Sequence, residues 1–257
     1  MSIDLRSDGR VAVVTINRPD VLNALSTELL IELRSTLDHL AFDSSVGVVV
    51  LTGAGDRAFI AGADIAEMAS KTPLEARTYS ELGQDITHRL ETMRKPTIAA
   101  VNGFALGGGC EVALACDLRL ASSSARFGQP EITLGLIPGW GGTQRLARAT
   151  TIGYAKELIL SGRMVSATEA FERGIVNAVY DPGELMPKTM ELAADIAAKS
   201  PVALAYAKEA ANRSLHGDLG GNLVHEADLF AILFSTQDAK EGLTAFTEKR
   251  EPTFVGR

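Results

Sequence analysis

The chain has 257 residues, of which 46% are hydrophobic, and a formal net charge of −7. That is enough apolar material for one large domain, or for a domain with an appendage. No basic stripe or Lys/Arg run occurs, which argues against nucleic acid and anionic membrane as partners.

Short β-rich runs alternate with longer helical patterns. VAVVTI (11–16) reads as a strand that ends in the turn cluster Asn17-Arg18-Pro19-Asp20. Ser26 is placed as an N-cap, and Leu29, Leu30, Leu33, Leu37 and Leu40 form a helical stripe behind it. VGVVVLT (46–52) is the next strand, ending at Gly53-Ala54-Gly55-Asp56. A polar stretch from about 66 to 80 is expected to be irregular, followed by a helix to about Met93. Pro96 starts the strand TIAAVN (97–102), then come a glycine loop with a helix, and the strand DLRLAS (117–122). Strands separated by helices predict an α/β core with a largely parallel sheet. From about 184 the pattern is helical only, which predicts a helical C-terminal appendage, with the division placed at 1–195 and 196–257.

Cys110 and Cys116 lie in one apolar segment and read as small buried hydrophobes, not a disulfide or metal pair. His39, His88, His216 and His225 show no ligand spacing, so no metal site is expected. The N-terminus lacks a basic region before an apolar core, and no apolar run approaches the ~20 residues of a membrane span. A soluble cytoplasmic protein is expected, and the sequon at Asn212 then has no secretory context.

Two carboxylates stand out. Glu111 sits in FALGGGCEVALACD (104–117), the one acid in an otherwise apolar helix that follows Gly107-Gly108-Gly109. The glycines alone are open between tight packing and close approach to a ligand. Amides that open a helix can bind a phosphate, or an oxygen that becomes negative during reaction. A buried carboxylate must be paired, protonated or functional. Arg119 and Arg126 are candidate ion-pair partners, and a raised-pKa acid facing a cleft is the alternative. Glu131 lies in FGQPEITLGLIPGWGGTQRL (127–146), where Pro138-Gly139 is expected to open a helix carrying Gly141-Gly142. Alone it reads as an exposed loop acid. Two isolated carboxylates beside glycine-rich helix starts fit a general acid/base pair. AFIAGADIAEM (58–68) is a third glycine segment, either a tight βα connection or a backbone approach to a flat ligand.

These segments, with NRPDVLNALS (17–26), ARFG and AFTEKREPTF, resemble the crotonase (enoyl-CoA hydratase/isomerase) superfamily in order and spacing, end to end. The resemblance implies a spiral of ββα units with a helical C-terminal region that drives trimerisation, often as a dimer of trimers. It implies an acyl-CoA thioester as substrate, with coenzyme A part of that substrate and no separate cofactor. By position, Glu111 and Glu131 match the two hydratase glutamates. The amides of Ala63 and Gly108 match the oxyanion hole, and that of Gly139 the water-holding amide. Ala24, Ala61, Asp64 and Ile65 match the CoA path, and Phe246 and Lys249 match positions that reach CoA on a neighbouring subunit. The implied activity is addition of water to a trans-2-enoyl-CoA, with Glu111 serving the water and Glu131 the C2 proton.

The rival activities on this scaffold are enoyl-CoA isomerase, another acyl-CoA reaction, and a non-catalytic CoA-binding paralogue. Glutamate at both acid positions favours hydration. A dinucleotide-binding reading of Gly53-Ala54-Gly55-Asp56-Arg57-Ala58 needs a helix at once, whereas AFIAGAD reads as a turn. No GxSxG occurs, which disfavours a serine hydrolase. The acyl group is not readable, although a short to medium chain is expected if the bulky Trp140 narrows the pocket.

Overall fold

The computed structural model describes residues 2–257. It opens with an antiparallel pair, β1 (Ile3–Asp8) and β2 (Val11–Ile16), whose turn holds Gly9 at φ +54°. Ser26 caps α1 (Thr27–Phe42) by accepting the Leu29 amide at 3.3 Å, and all five leucines of the expected stripe are buried.

A repeating ββα path then builds the body. Its first turn is β3 (Val48–Gly53), β4 (Ala58–Ile60), the short α2 (Ile65–Met68) and α3 (Pro73–Thr92). The second is β5 (Thr97–Val101), β6 (Phe104–Leu106) and α4 (Gly108–Ala115). The third is β7 (Leu118–Ser122), β8 (Arg126–Gly128), a 3-10 turn at Pro130–Leu134 and α5 (Gly142–Ala149). In each turn the first strand joins a six-stranded sheet and the second joins a smaller one. α6 (Ile152–Ser161), β9 (Met164–Ser166), α7 (Ala167–Glu172) and β10 (Ala178–Tyr180) complete the two sheets. The orders are β1-β2-β3-β5-β7-β10 and β4-β6-β8-β9, parallel except for β1 and β9.

Both faces of the large sheet are covered, so β3 is buried along its whole length. Val49 and Leu51 face the main core with the α1 leucines, Phe59 and Phe127. Val48 and Val50 face a second core closed by Leu185, Ala193 and Ala197 of α8 (Leu185–Ala197). A continuous apolar run is what a two-sided parallel strand requires.

Three expectations need correction. The stretch 66–80 is not irregular: it holds most of α2 and the start of α3, where Thr72 and Glu75 form a capping box and Pro73 takes the first position. The division at 195/196 falls inside the last turn of α8, whose Ala197 belongs to the core. Pro138-Gly139 does not open a helix, because α5 starts at Gly142 behind Gly141 at φ +107°. The GxGxxA segment runs from β3 through a turn into β4, with no helix after it.

The C-terminal region is α9 (Pro201–Arg213), α10 (Leu219–Leu233) and α11 (Gln237–Glu248). Lys208 anchors α9 to the body, donating to the carbonyls of Leu90 and Lys95 and pairing with Asp117 at 2.8 Å. Buried Asp238 accepts the Ser200 hydroxyl at 2.6 Å and the amides of Val255 and Gly256, which clasps the terminal residues. Leu219, Leu223, Val224, Phe230 and Phe234 remain exposed. Among the described residues no helix is long and apolar enough to cross a membrane.

A Cβ on Gly109 would overlap the carbonyl oxygen of Ile60 in β4, whereas one on Gly153, in α6, would meet nothing within 4 Å. Gly109→Ala is expected to cost about 1–3 kcal/mol or more. Gly153→Ala is expected to be neutral or to stabilise by up to about 1 kcal/mol. Thermal melts of the two variants check this.

Candidate active site

The strands β4, β6 and β8 are parallel neighbours, and the segment after each carries one of the three glycine-rich motifs. Residues 61–65, 107–111 and 129–142 therefore converge at the carboxyl edge of the small sheet. Open parallel sheets place ligands at this edge.

Each glycine of the 107–109 run has its own reason. Gly107 adopts φ +50°, and a Cβ there would lie 2.7 Å from Oε1 of Glu131. A Cβ on Gly108 would overlap the Trp140 ring. Gly109 lets α4 lie against the β4 backbone.

Glu111 is 2% exposed in the first turn of α4. Neither Arg119 nor Arg126 pairs with it. Arg119 donates to the carbonyls of Ile175 and Cys116, and Arg126 to those of Ser124 and Ala125. The partners of Glu111 are backbone amides: Oε1 accepts Trp140 N–H at 2.7 Å and Gly142 N–H at 2.6 Å. Both bonds use the same oxygen, so Oε2 has no protein donor among the described residues. Burial pushes the Glu111 carboxyl up to about 7; the Gly142 amide opposes this, the Glu131 charge adds to it, and the Trp140 amide opposes it.

Glu131 is not an exposed loop acid. It is half-buried on the 3-10 turn at Pro130–Leu134, and burial raises its pKa above the ordinary carboxylate value. Its polar neighbour is Gln129, which is fully buried. The Gln129 amide is satisfied with its nitrogen toward Glu131, 3.1 and 3.3 Å from the two carboxylate oxygens. Sequence reasoning missed Gln129, since a lone amide between a glycine and a proline carries no pattern.

The two glutamates share a cavity of about 370 Å³ with Ala61, Ala63, Gly108 and Gly139. The N–H groups of Ala63 and Gly108 engage no other group among the described residues. Trp140 points inward. It is buried edge-on against Tyr79, ring centres 5.6 Å apart, and both rings wall the cavity with Met68. A second cavity, about 440 Å³ between α9 and the end of α4, contains neither glutamate.

The remaining expected positions fall into two groups. Ile65 lines the cavity, and Arg18 ties Ala24 and Asp64 together, donating to the Ala24 carbonyl at 2.7 Å with Asp64 at 3.6 Å. Asp64 also caps α2. Phe246 and Lys249 lie on the last turn and C-cap of α11, with Phe246 85% exposed, and neither lines the cavity.

Two carboxylates and two unengaged amides thus meet in one cavity at the edge of a ββα spiral, and comparison with known proteins specifies the family. Residues 6–257 match the family described as enoyl-CoA hydratase/isomerase. The chain is 49% identical over 250 residues to the short-chain-enoyl-CoA hydratase of Clostridium acetobutylicum, covering 97% of this chain and 96% of that one. It is 46% identical to the crotonyl-CoA hydratase of Syntrophomonas wolfei subsp. wolfei, covering 100% and 98%. The crystal structure of an enoyl-CoA hydratase from Bacillus anthracis superimposes with a TM-score of 0.97 at 41% identity, over the whole of both chains. The chain belongs to the enoyl-CoA hydratase/isomerase family and has the crotonase fold.

A carboxyl whose pKa is raised on folding favours the folded state while protonated, and that contribution disappears as pH rises. For Glu111 the window runs from the ordinary 4.5 to about 7. Glu111→Gln, which cannot ionise, is therefore expected to gain Tm relative to the parent across this window. The gap should be smallest below pH 4.5 and fully open above about 7; paired melts across pH check it.

Proposed function

We propose that the chain adds water across the trans-2 double bond of a short-chain enoyl-CoA, giving the 3-hydroxyacyl-CoA. The observation that carries this reading is the pair of glutamates in one cavity, one of them held by two amides at a single oxygen. The thioester oxygen sits between the N–H groups of Ala63 and Gly108. As water attacks C3, negative charge develops on that oxygen and the amides stabilise it, each worth about 2.7–4 kcal/mol where such donors have been removed. Glu111 takes the proton of the attacking water through its free Oε2, with the Gly139 amide holding the water. Glu131 delivers the proton to C2. The hydroxyl is then on C3, the hydrogen on C2, and the double bond is consumed.

Isomerisation needs only one acid to shuttle a proton, and it leaves the amide-fixed second glutamate without a task. Hydration uses both. The CoA moiety runs past Ala24, Ala61, Asp64 and Ile65 and is itself part of the substrate, so no further cofactor takes part. The exposed apolar residues of α10 and α11 support association through the C-terminal helices into a trimer or a dimer of trimers, in which Phe246 and Lys249 approach CoA on a neighbouring subunit. The protein works in the cytoplasm.

Trp140 and Tyr79 close the cavity, which supports a short acyl chain. Loss of the conjugated enoyl absorbance is expected to be fast with crotonyl-CoA and slow with a C10 trans-2-enoyl-CoA. Trp140→Ala should move that rate ratio toward the longer chain. Glu111→Gln and Glu131→Gln should each lose at least ~10²-fold in kcat while retaining CoA binding. Near-parental turnover in either would remove that residue from its role.

A further inference from the structure

The face of α3 toward the glutamates carries polar side chains at helical spacing: Ser80, Gln84, Thr87 and Glu91. The first three hold consecutive carbonyls of the turn that grips Glu111, and Glu91 holds Arg145, which joins them. Ser80 Oγ donates to the Gly139 carbonyl at 2.6 Å, and Gln84 Nε2 donates to the same oxygen at 2.9 Å. Thr87, fully buried, donates to the Trp140 carbonyl at 2.9 Å. That oxygen also accepts Arg145 Nη1 at 3.0 Å, and Arg145 is held by Glu91 at 2.8 Å.

The Gly139 carbonyl and the Trp140 N–H belong to one peptide unit. On one side that unit receives two donors from α3, and on the other it donates to Oε1 of Glu111 at 2.7 Å. Donation to a carbonyl polarises the amide and strengthens its own N–H as a donor. We propose that Ser80, backed by Gln84, is a positioning residue for Glu111, acting through the 139–140 peptide to fix that carboxylate and stabilise its charged form. The inference rests on the hydratase reading, in which Glu111 must accept a proton from water.

The charged and titratable groups facing Glu111 are Glu131 from the 3-10 turn, Arg145 from α5 and Cys110 from its own helix. None of them touches the Gly139 carbonyl, so removing the α3 donors leaves these groups in place. Ser80 is half-buried and Gln84 exposed, so both positions tolerate an apolar replacement.

The test compares Ser80→Ala, Gln84→Leu, the double variant and Ser80→Thr, which keeps the hydroxyl. Parental hydration of crotonyl-CoA is measured first, and its absence would sink the hydratase reading itself. With that activity in hand, the double variant is expected to lose kcat by about tenfold, the rate equivalent of roughly one hydrogen bond. KM should stay within about twofold, a limb of the kcat/KM profile should move to higher pH, and Ser80→Thr should recover most of the rate. An unchanged kcat and pH profile in the double variant overturns the inference. So does a loss of kcat with the profile in place and KM raised, which marks a general distortion of the cavity. Should the double variant fail to fold by circular dichroism, the two single variants carry the same readouts.

Discussion

The site depends on one constraint: a carboxylate placed inside an apolar helix must find donors there. An unpaired buried charge costs several kcal/mol or more. Glu111 meets this with two backbone amides on one oxygen. Much of the local sequence follows from that choice. Gly142 must lack a Cβ, since one would lie 2.5 Å from the Gln129 side-chain amide and 3.0 Å from Glu111 Cγ. Gly83 and Gly108 must be bare because the Trp140 ring, fixed by the same turn, passes over both. Burial raises the Glu111 carboxyl to about 7 and the amide donors only partly oppose it, which leaves a group able both to take up and to release a proton near neutrality.

The two sheets divide the work. The large sheet is covered on both faces and supplies most of the buried aliphatic mass. The small sheet has strands of only three residues, and its carboxyl edge presents three loops side by side. Rigidity is thus built in one layer and chemistry displayed by the other. The same path repeated three times gives the amide of Ala63, the amide of Gly108 with Glu111, and Glu131 with its turn.

Much of this was readable from residue pattern. The large-sheet strands β2, β3 and β5 are largely apolar runs, and the α1 leucines keep helical spacing. Four helices fill the region from about 184 that the pattern marked as helical only. The small-sheet strands escaped because three residues hold no period. β1 escaped because only Ile3 of its six residues is buried. The start of α3 was signalled by Thr72-x-x-Glu75 with Pro73, but the polar residues around it masked the cap. Ser80, Gln84 and Thr87 were hidden for a related reason: a polar stripe on a helix looks like a solvated face until a second backbone is seen against it. Glu111 showed itself because an acid among apolar residues is costly, whereas the identity of its partners did not, since backbone amides leave no mark in a sequence.

The spiral also orders events in time. The chain leaves the ribosome from its N-terminus, and each ββα turn can lay its strands beside those of the turn already made. The loop after β4 is therefore available first, α4 with its acid next, and the 139–142 turn last of the three. Until that turn emerges, Glu111 lacks both of its donors, and its helix gains by staying hydrated instead of sinking into the core. Closure of this cavity and full pairing of Glu111 thus wait on the same turn, and a nascent chain halted before Trp140 has neither of the amides that hold Glu111.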